Sequence, residues 1–466
     1  MTVLRKIFNI IFIAFCATLA GINLFFMKKP APLLFLAFYI VLAACLFIIN
    51  RTGEINDKTY RIVIGITVFV GCALRLAEVL LVPCEPVSDY AVMIGAAKGV
   101  ANGDFSAFSQ GSYFHRFPHI TFYSITAGAL MGVFGQSITV IKVFNVIFKT
   151  AAIFVMALIG KEIFGKKGSI LCAGLLALFP ADIFYSNVCT TENFAIFFLS
   201  LSVYYIVKAY KAEKRKKSFV YCVISGLILC LGTLYRNVAP FYLAGYIVGI
   251  LIVFAKGRKI ISALAVLGAF IILNNAVSYL LYFSGATQYR LTDGAEPYTV
   301  YLLVGSNFET HGMYSAEDHG VYEEAKGDKE KINLIVRERI TKRLTESPEK
   351  ILPLLFDKTR ILWSGSSFDS VYWGYINNGI EGEKPAPNMP LALCSAFFTA
   401  VFILAFVGVI KNENKELFCL IALVIMALWG GLCLMEIQPR YAFSTAYLFL
   451  PIAAGAFFPK HKETLK

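Results

Sequence analysis

Long, almost uncharged stretches constrain this chain more than any other feature. Apolar runs of about 16 to 24 residues can be placed at 7–27, 31–49, 62–82, 138–160, 168–187, 193–210, 219–235, 240–255, 260–283, 390–410, 417–435 and 441–458. Such a run must satisfy its backbone polar groups within a helix and present its side chains to lipid or to other helices. Hydrophobic residues make up 58% of the 466, charged residues 16%, far more apolar surface than a soluble domain of this length needs. The expected fold is an all-α polytopic membrane protein of about twelve transmembrane helices.

The formal charge of +13 is a topology signal and not a nucleic-acid footprint. Between Ser284 and Met389 there are 12 basic and 16 acidic residues, so the excess lies elsewhere, in short loops. A further run, Pro118 to Phe134, is ambiguous. If it does not cross, the loops KEIFGKK, KAEKRKK, KGRK and KNENK and the tail KHKETLK share one side with Arg5, Lys6, Arg51, Lys58 and Arg61. The positive-inside rule then gives both termini cytoplasmic, with 118–134 an interfacial helix on the opposite face. The division expected is a transmembrane part over 1–283 with an outer loop at 83–137, an extracytoplasmic insert at 284–389, and C-terminal spans and tail over 390–466. The insert contains KINLIVRERITKRLTESPEKILPLLFDKTRIL, whose helical periodicity breaks near Pro348.

The N-terminal run is read as a retained span because no small-residue cleavage site precedes the next run. Eleven cysteines are scattered without a CxxC pair, as small membrane-core residues rather than a zinc site or disulfide framework; one bridge between Cys84 and Cys189 is left open. Within the spans, Arg75 and Glu78 lie i,i+3 and are expected to pair. Lys149 has no evident sequence partner, and structural pairing is favoured for it over proton relay.

With this topology the polar residues that are hard to explain share one level, the extracytoplasmic boundary. Glu85 and Asp89 follow the third span in VPCEPVSDYAVMIG. His115 and Arg116 sit in YFHRFP, Glu192 in NVCTTENF, Arg236 in LYRNVAPF, and Glu436, Arg440 and Tyr441 in MEIQPRYAF. Guanidinium groups bind phosphate through paired hydrogen bonds. Carboxylates beside them would serve as general base or as metal ligands. An interfacial arginine often merely snorkels to lipid phosphate, which explains one of these but poorly explains the set. The combination implies transfer chemistry on a lipid-linked phosphate, and no GxxxxGK[ST] loop for ATP is visible.

Four stretches in order carry a family resemblance: SDYAVMIGAAKGVANGDF, YFHRFPHITFYSITAGALMGVFGQS, GKKGSILCAGLLALFPADIFYSNVCTTENFAIFF and MEIQPRYAFSTAYLFLP. The pattern resembles the GT-C superfamily of integral-membrane glycosyltransferases, especially the bacterial branch related to protein O-mannosyltransferases and lipid A aminoarabinose transferases. The resemblance implies juxtamembrane helices roofing a catalytic cavity, a polyprenyl-phosphate sugar donor, and a lipid, glycan or protein acceptor on the extracytoplasmic side of the cell membrane. Carried over by position, Asp89 deprotonates the acceptor hydroxyl and Glu192 is the second acid. Arg116, Arg236, Arg440 and Tyr441 contact donor phosphate, with Glu85, Tyr90 and His115 in support.

There are departures. The family often has two adjacent carboxylates where Asp89 is followed by Tyr90, and Phe117 intervenes between Arg116 and Pro118. A divalent metal therefore stays open, with His115 as one candidate ligand. Two rivals from other classes are a transporter or lipid-linked glycan flippase, and an O-antigen-type ligase or polymerase. A transporter would be expected to show a two-half repeat and polar residues at the midplane. The aromatic stretch WSGSSFDSVYW, Trp363 to Trp373, suits either sugar contact or ordinary interfacial anchoring.

Overall fold

The computed structural model describes residues 2–27, 33–37, 39–40, 43–44, 53–255, 257–365, 367–376, 388–412 and 416–458. The run at 31–49, the end of the insert and the tail KHKETLK fall largely or wholly outside these residues. Everything regular among the described residues is helical. Among the described residues eight helices are long and apolar enough to cross a membrane: α1 (Thr2–Phe26), α2 (Asp57–Leu81), α5 (Ile138–Ala177), α7 (Glu192–Lys211), α8 (Arg215–Tyr235), α10 (Lys259–Phe283), α14 (Asn388–Lys411) and α15 (Glu416–Leu434). The others introduced below are α3 (Asp89–Ala101), α4 (Thr121–Phe134), α6 (Pro180–Tyr185), α9 (Ala239–Val253), α11 (Thr299–Gly305), α12 (Lys329–Glu346), α13 (Ile351–Trp363), α16 (Pro439–Ala446) and α17 (Phe449–Ala454).

Four of the twelve expected runs take a form that periodicity does not reveal. Helix α5 holds two of them, folded back on each other at Gly165, whose φ of 73° departs from helical geometry. The two arms touch through glycine: a Cβ on Gly160 would collide with the Gly168 carbonyl. Helix α9 has only 15 residues, and its fit against α15 depends on Gly245, where a Cβ would meet Val424 Cα at 2.7 Å. The last run is broken into α16, α17 and a 3-10 turn, with Pro451 in the first turn of α17, where a missing N–H costs no helix bond.

The run at 118–134 becomes a 3-10 turn at Pro118–Ile120 and the 14-residue α4. At 1.5 Å per residue α4 spans about 21 Å, short of the ~30 Å hydrocarbon core. It lies against α3, where a Cβ on Gly128 would come within 2.6 Å of the Ala97 carbonyl. Gly135 ends it with a φ of 106°, a conformation suited to glycine alone.

The basic loops meet at one end of the bundle. Arg5 pairs with Glu416 at 2.6 Å, Lys208 and Lys211 pair with Glu162, and Lys411 donates to the Ala456 carbonyl at 2.7 Å. At the other end the stretch from Ser284 to Ile376 packs over the helices. It has a small core of its own, Val300, Leu303, Val321, Ala325, Ile332 and Val336. Two backbone bonds tie it to the turn after α15, Glu436 N–H to the Tyr301 carbonyl at 2.7 Å and Ile437 N–H to the Gly312 carbonyl at 2.8 Å. Lys358 of α13, buried, donates to the carbonyls of Leu432, Cys433 and Met435 at 3.3, 3.0 and 2.8 Å. Its ammonium thereby satisfies the free carbonyls at the C-terminus of α15 and opposes the helix dipole there.

The intramembrane charges pair, but not as the spacing suggests. Arg75 does not pair with Glu78. Its guanidinium binds Asp182 of α6 at 2.5 Å and the carbonyls of Gly71, Leu176 and Ala177, while Glu78 accepts from the Tyr375 hydroxyl at 2.7 Å. Lys149 finds its partner in the same Asp182, at 2.6 Å. Arg75, Asp182 and Lys149 are all essentially inaccessible, so this triad locks α2, α5 and α6 where unpaired charge would be untenable.

Candidate functional site

The end of the bundle covered by the 284–376 stretch gathers most of the residues singled out from the sequence. Asp89 opens α3, presented by Ser88, whose φ of 51° and ψ of −134° are costly for a residue with a Cβ. Its carboxylate, 48% exposed, accepts from the Tyr113 hydroxyl at 2.7 Å on Oδ1, and its Oδ2 lies 3.8 Å from Arg440 Nη2. Tyr90, the next residue, points inward; its hydroxyl accepts from Arg440 Nη1 at 2.7 Å. The neighbouring residues Asp89 and Tyr90 therefore meet one guanidinium from two sides.

From Arg440 the cluster continues through Tyr441. Arg440 lies 5.8 Å from the Tyr441 ring centroid and Arg236 lies 4.8 Å from it, so the ring stands between two cations. Arg236, at the C-terminus of α8, approaches Glu192 Oε1 at 3.4 Å. Glu192 opens α7, where carboxylates favour the positive end of the helix dipole. It is 1% exposed, and its Oε2 accepts from the hydroxyls of Thr190 and Thr191. Asp89, Tyr90, Glu192, Arg236, Arg440 and Tyr441 thus form one connected set.

Arg116, His115 and Glu85 do not join it. Arg116 binds Glu296 at 2.6 Å and Glu323 at 2.5 Å, donates to the His319 carbonyl at 3.1 Å, and stacks 4.3 Å from the Tyr322 ring. Its guanidinium is occupied by the 284–376 stretch. His115 accepts from the Gly111 N–H at 3.0 Å and lies against Tyr289, with burial lowering its affinity for a proton. Glu85 is exposed in the loop before α3. Cys84 and Cys189 are free, buried thiols.

Several residues of this region were given no individual role from the sequence. Asp369 accepts the Arg440 backbone N–H at 3.3 Å, and burial raises its carboxyl to about 6 against the pull of Arg440. Phe368 and Asp369 have φ of 49° and 64°, two successive side-chain-bearing residues in the left-handed region. The Phe368 carbonyl is held by the Tyr185 hydroxyl, and the Phe368 ring is buried among Trp363, Phe398 and Phe443. Trp373 packs edge-on to Tyr90 at 5.0 Å, giving WSGSSFDSVYW a place in the site's wall. Further out, His319 bridges Glu296 at 3.5 Å and Glu436 at 3.0 Å; these two carboxylates raise its pKa to about 9. Arg116, Glu296, His319 and Glu436 form a chain of alternating charge.

A cavity with about 640 Å³ of empty space opens beside the cluster. Its lining mixes Arg236, Tyr441 and Glu436 with Val238, Phe241, Leu428 and Leu432 of the α9 and α15 region. It is amphipathic, with one guanidinium in its wall. Among the described residues no three His, Cys, Asp or Glu side chains come together as a metal site requires, and Asp89 and Glu192 each face a guanidinium instead.

Residues 118–282 match the dolichyl-phosphate-mannose-protein mannosyltransferase family. No curated protein shows significant sequence similarity to the chain. Among solved structures, the Archaeoglobus fulgidus oligosaccharyltransferase tethered to an acceptor peptide superposes with a TM-score of 0.51 at 15% identity, over 86% of this chain and 49% of that one. Its apo form gives 0.50 at 15% identity, over 86% and 50%. ArnT from Cupriavidus metallidurans bound to undecaprenyl phosphate gives 0.35 at 11% identity, over 84% and 76%. The chain spans about half the length of the archaeal enzyme, and the shared fold is the finding that this likeness carries.

Proposed function

We propose that this chain, a multi-pass membrane glycosyltransferase of the GT-C superfamily, moves a sugar from a polyprenyl-phosphate donor to an acceptor on the extracytoplasmic side. The observation that carries this reading is the amphipathic cavity whose wall includes Arg236 and Tyr441. Phosphate matches the Arg236 guanidinium that lines the cavity, with Arg440 close behind it at the Tyr441 ring, and the first isoprenoid units match the apolar side chains of Val238, Phe241, Leu428 and Leu432.

In the reaction the acceptor hydroxyl attacks the anomeric carbon and its proton passes to Asp89. The carbon–oxygen bond to phosphate breaks, and the electron pair leaves with polyprenyl phosphate. The Tyr113 hydrogen bond fixes the Asp89 carboxylate by one oxygen and leaves the other to take the proton. Negative charge growing on the leaving phosphate is met by Arg236 and Arg440, oriented beforehand by Glu192, Tyr90 and Tyr441. Arg116 has a different task in this reading: it docks the 284–376 stretch over the site through Glu296 and Glu323. The buried Arg75–Asp182–Lys149 triad is fully paired and needs no transport role.

The test is transfer of radiolabelled sugar from polyprenyl-phosphate donors to membrane acceptors by the purified chain and its Asp89→Asn variant. Transfer by wild type, lost in the variant with polyprenyl-phosphate binding retained, is the expected result. A folded wild-type protein that turns over no such donor would overturn the reading.

A further inference from the structure

Two cavities meet at a side chain that the chemistry above leaves unused. Beside the amphipathic cavity lies a second one, with about 1430 Å³ of empty space, bounded by Phe270 and Asn274 of α10 and by Leu291 and Leu302. Five residues line both: His119, Asn237, Phe241, Tyr298 and Met435. The polar members are all uncharged groups from separate parts of the chain. His119 comes from the turn before α4, Asn237 from the turn after α8, and Tyr298 from the residue preceding α11.

Asn237 Nδ2 donates to the Tyr298 hydroxyl at 3.2 Å, so two of the three already touch. The His119 ring has no hydrogen-bond partner among the described residues, although it lines both cavities. Burial, with Arg236 and Arg440 nearby, holds its pKa down to about 4, so the imidazole is neutral. A neutral imidazole, an amide and a phenol each donate and accept one hydrogen bond or more. Phosphate offers only acceptors, and a cation only positive charge. A sugar hydroxyl both donates and accepts, and three two-way groups lining the same two cavities match it. Phe241 and the Tyr298 ring add apolar faces suited to the C–H side of a pyranose.

We infer that His119, Asn237 and Tyr298 form the subsite that holds the donor sugar, next to Arg236, which holds its phosphate. The inference rests on the proposed donor class and adds which residues discriminate one sugar from another. It also gives the 284–376 stretch, through Tyr298, a direct part in donor choice.

The experiment measures binding of decaprenyl phosphate, decaprenyl-phosphate mannose and decaprenyl-phosphate glucose to the full chain in nanodiscs, for wild type, His119→Ala, His119→Gln and Arg236→Gln. Wild type is expected to bind at least one glycosylated lipid more tightly than the bare one. His119→Ala should cut that advantage about tenfold, the loss of one or two hydrogen bonds, and leave affinity for decaprenyl phosphate unchanged. His119→Gln, which keeps a donor and an acceptor, should restore part of it, while Arg236→Gln should weaken all three lipids alike. Equal loss for bare and glycosylated lipids in a folded His119→Ala, or an undiminished sugar preference, would overturn the subsite and leave the donor class standing. A wild type that binds no decaprenyl phosphate in any form would overturn both.

Discussion

The Tyr113 hydroxyl donates to Asp89 Oδ1 at 2.7 Å across 24 residues of loop and helix. A carboxylate at the mouth of α3 would otherwise rotate freely, being half exposed, and a base must hold one geometry to act. Tyr113→Phe is therefore expected to slow transfer about tenfold, as the loss of one charge-assisted hydrogen bond. Asp89→Asn should slow it by about 10²- to 10⁴-fold. Single-turnover rates with saturating donor separate the two; equal rates for wild type and Asp89→Asn would remove Asp89 as the base.

Arg236 faces a buried carboxylate on one side and the cavity on the other. Arg236→Gln alone strands Glu192, so both thermal stability and lipid binding should fall. Adding Glu192→Gln should restore the melting temperature without restoring affinity for polyprenyl phosphate. Recovery of both by the double variant would show that Arg236 serves only its ion pair.

Asp182 carries two cations at 2.5 and 2.6 Å in a site closed to solvent. Asp182→Asn leaves both uncompensated and is expected to cost about 3–5 kcal/mol, read as a lowered denaturation midpoint in detergent. Lys149→Met leaves the Arg75–Asp182 pair intact and should cost less. The reverse order would mean that Lys149, and not the aspartate, anchors the triad.

His319 binds its proton more tightly when folded because Glu296 and Glu436 face it, with its pKa at about 9 against an ordinary 6.5. A raised pKa contributes stability that is full below about 6.5 and is lost as pH rises through about 9. The 296–326 region should then become more open to proteolysis between pH 7 and pH 10. His319→Gln should be more open already at pH 7 and show less change with pH. An unaltered pH profile in that variant would assign the transition to another group.

Much of this architecture was legible because lipid leaves few choices. The lengths of α2, α8, α10 and α14 follow from apolar runs, and charge in the short loops groups the ends that Arg5, Glu162 and Glu416 then join. The grouping of the candidate site was readable wherever a charge stood at a helix mouth, as Asp89, Glu192, Arg236 and Arg440 do. Pairing was not readable, because it depends on which helices are neighbours. Glu78 is one turn from Arg75, yet the guanidinium reaches across to Asp182, which the chain delivers 107 residues later. Arg116 looked like a phosphate ligand by its motif, but Glu296 and Glu323 come from a stretch whose docking no local pattern announces. His119 and Asp369 were missed because a lone His beside Pro and a lone Asp among hydroxyl residues are ordinary in a loop. Their meaning lies in the cavity and in the backbone strain.

Lys358 reaches three carbonyls that end α15, and this has a mechanical consequence. Sliding α13 along α15 by one turn, about 5.4 Å, would carry the ammonium away from all three acceptors at once. The two helices consequently have one register rather than a range of them. A single residue inserted between Lys358 and Trp363 would rotate one anchor by about 100° relative to the other, pulling either the ammonium or the indole out of its seat.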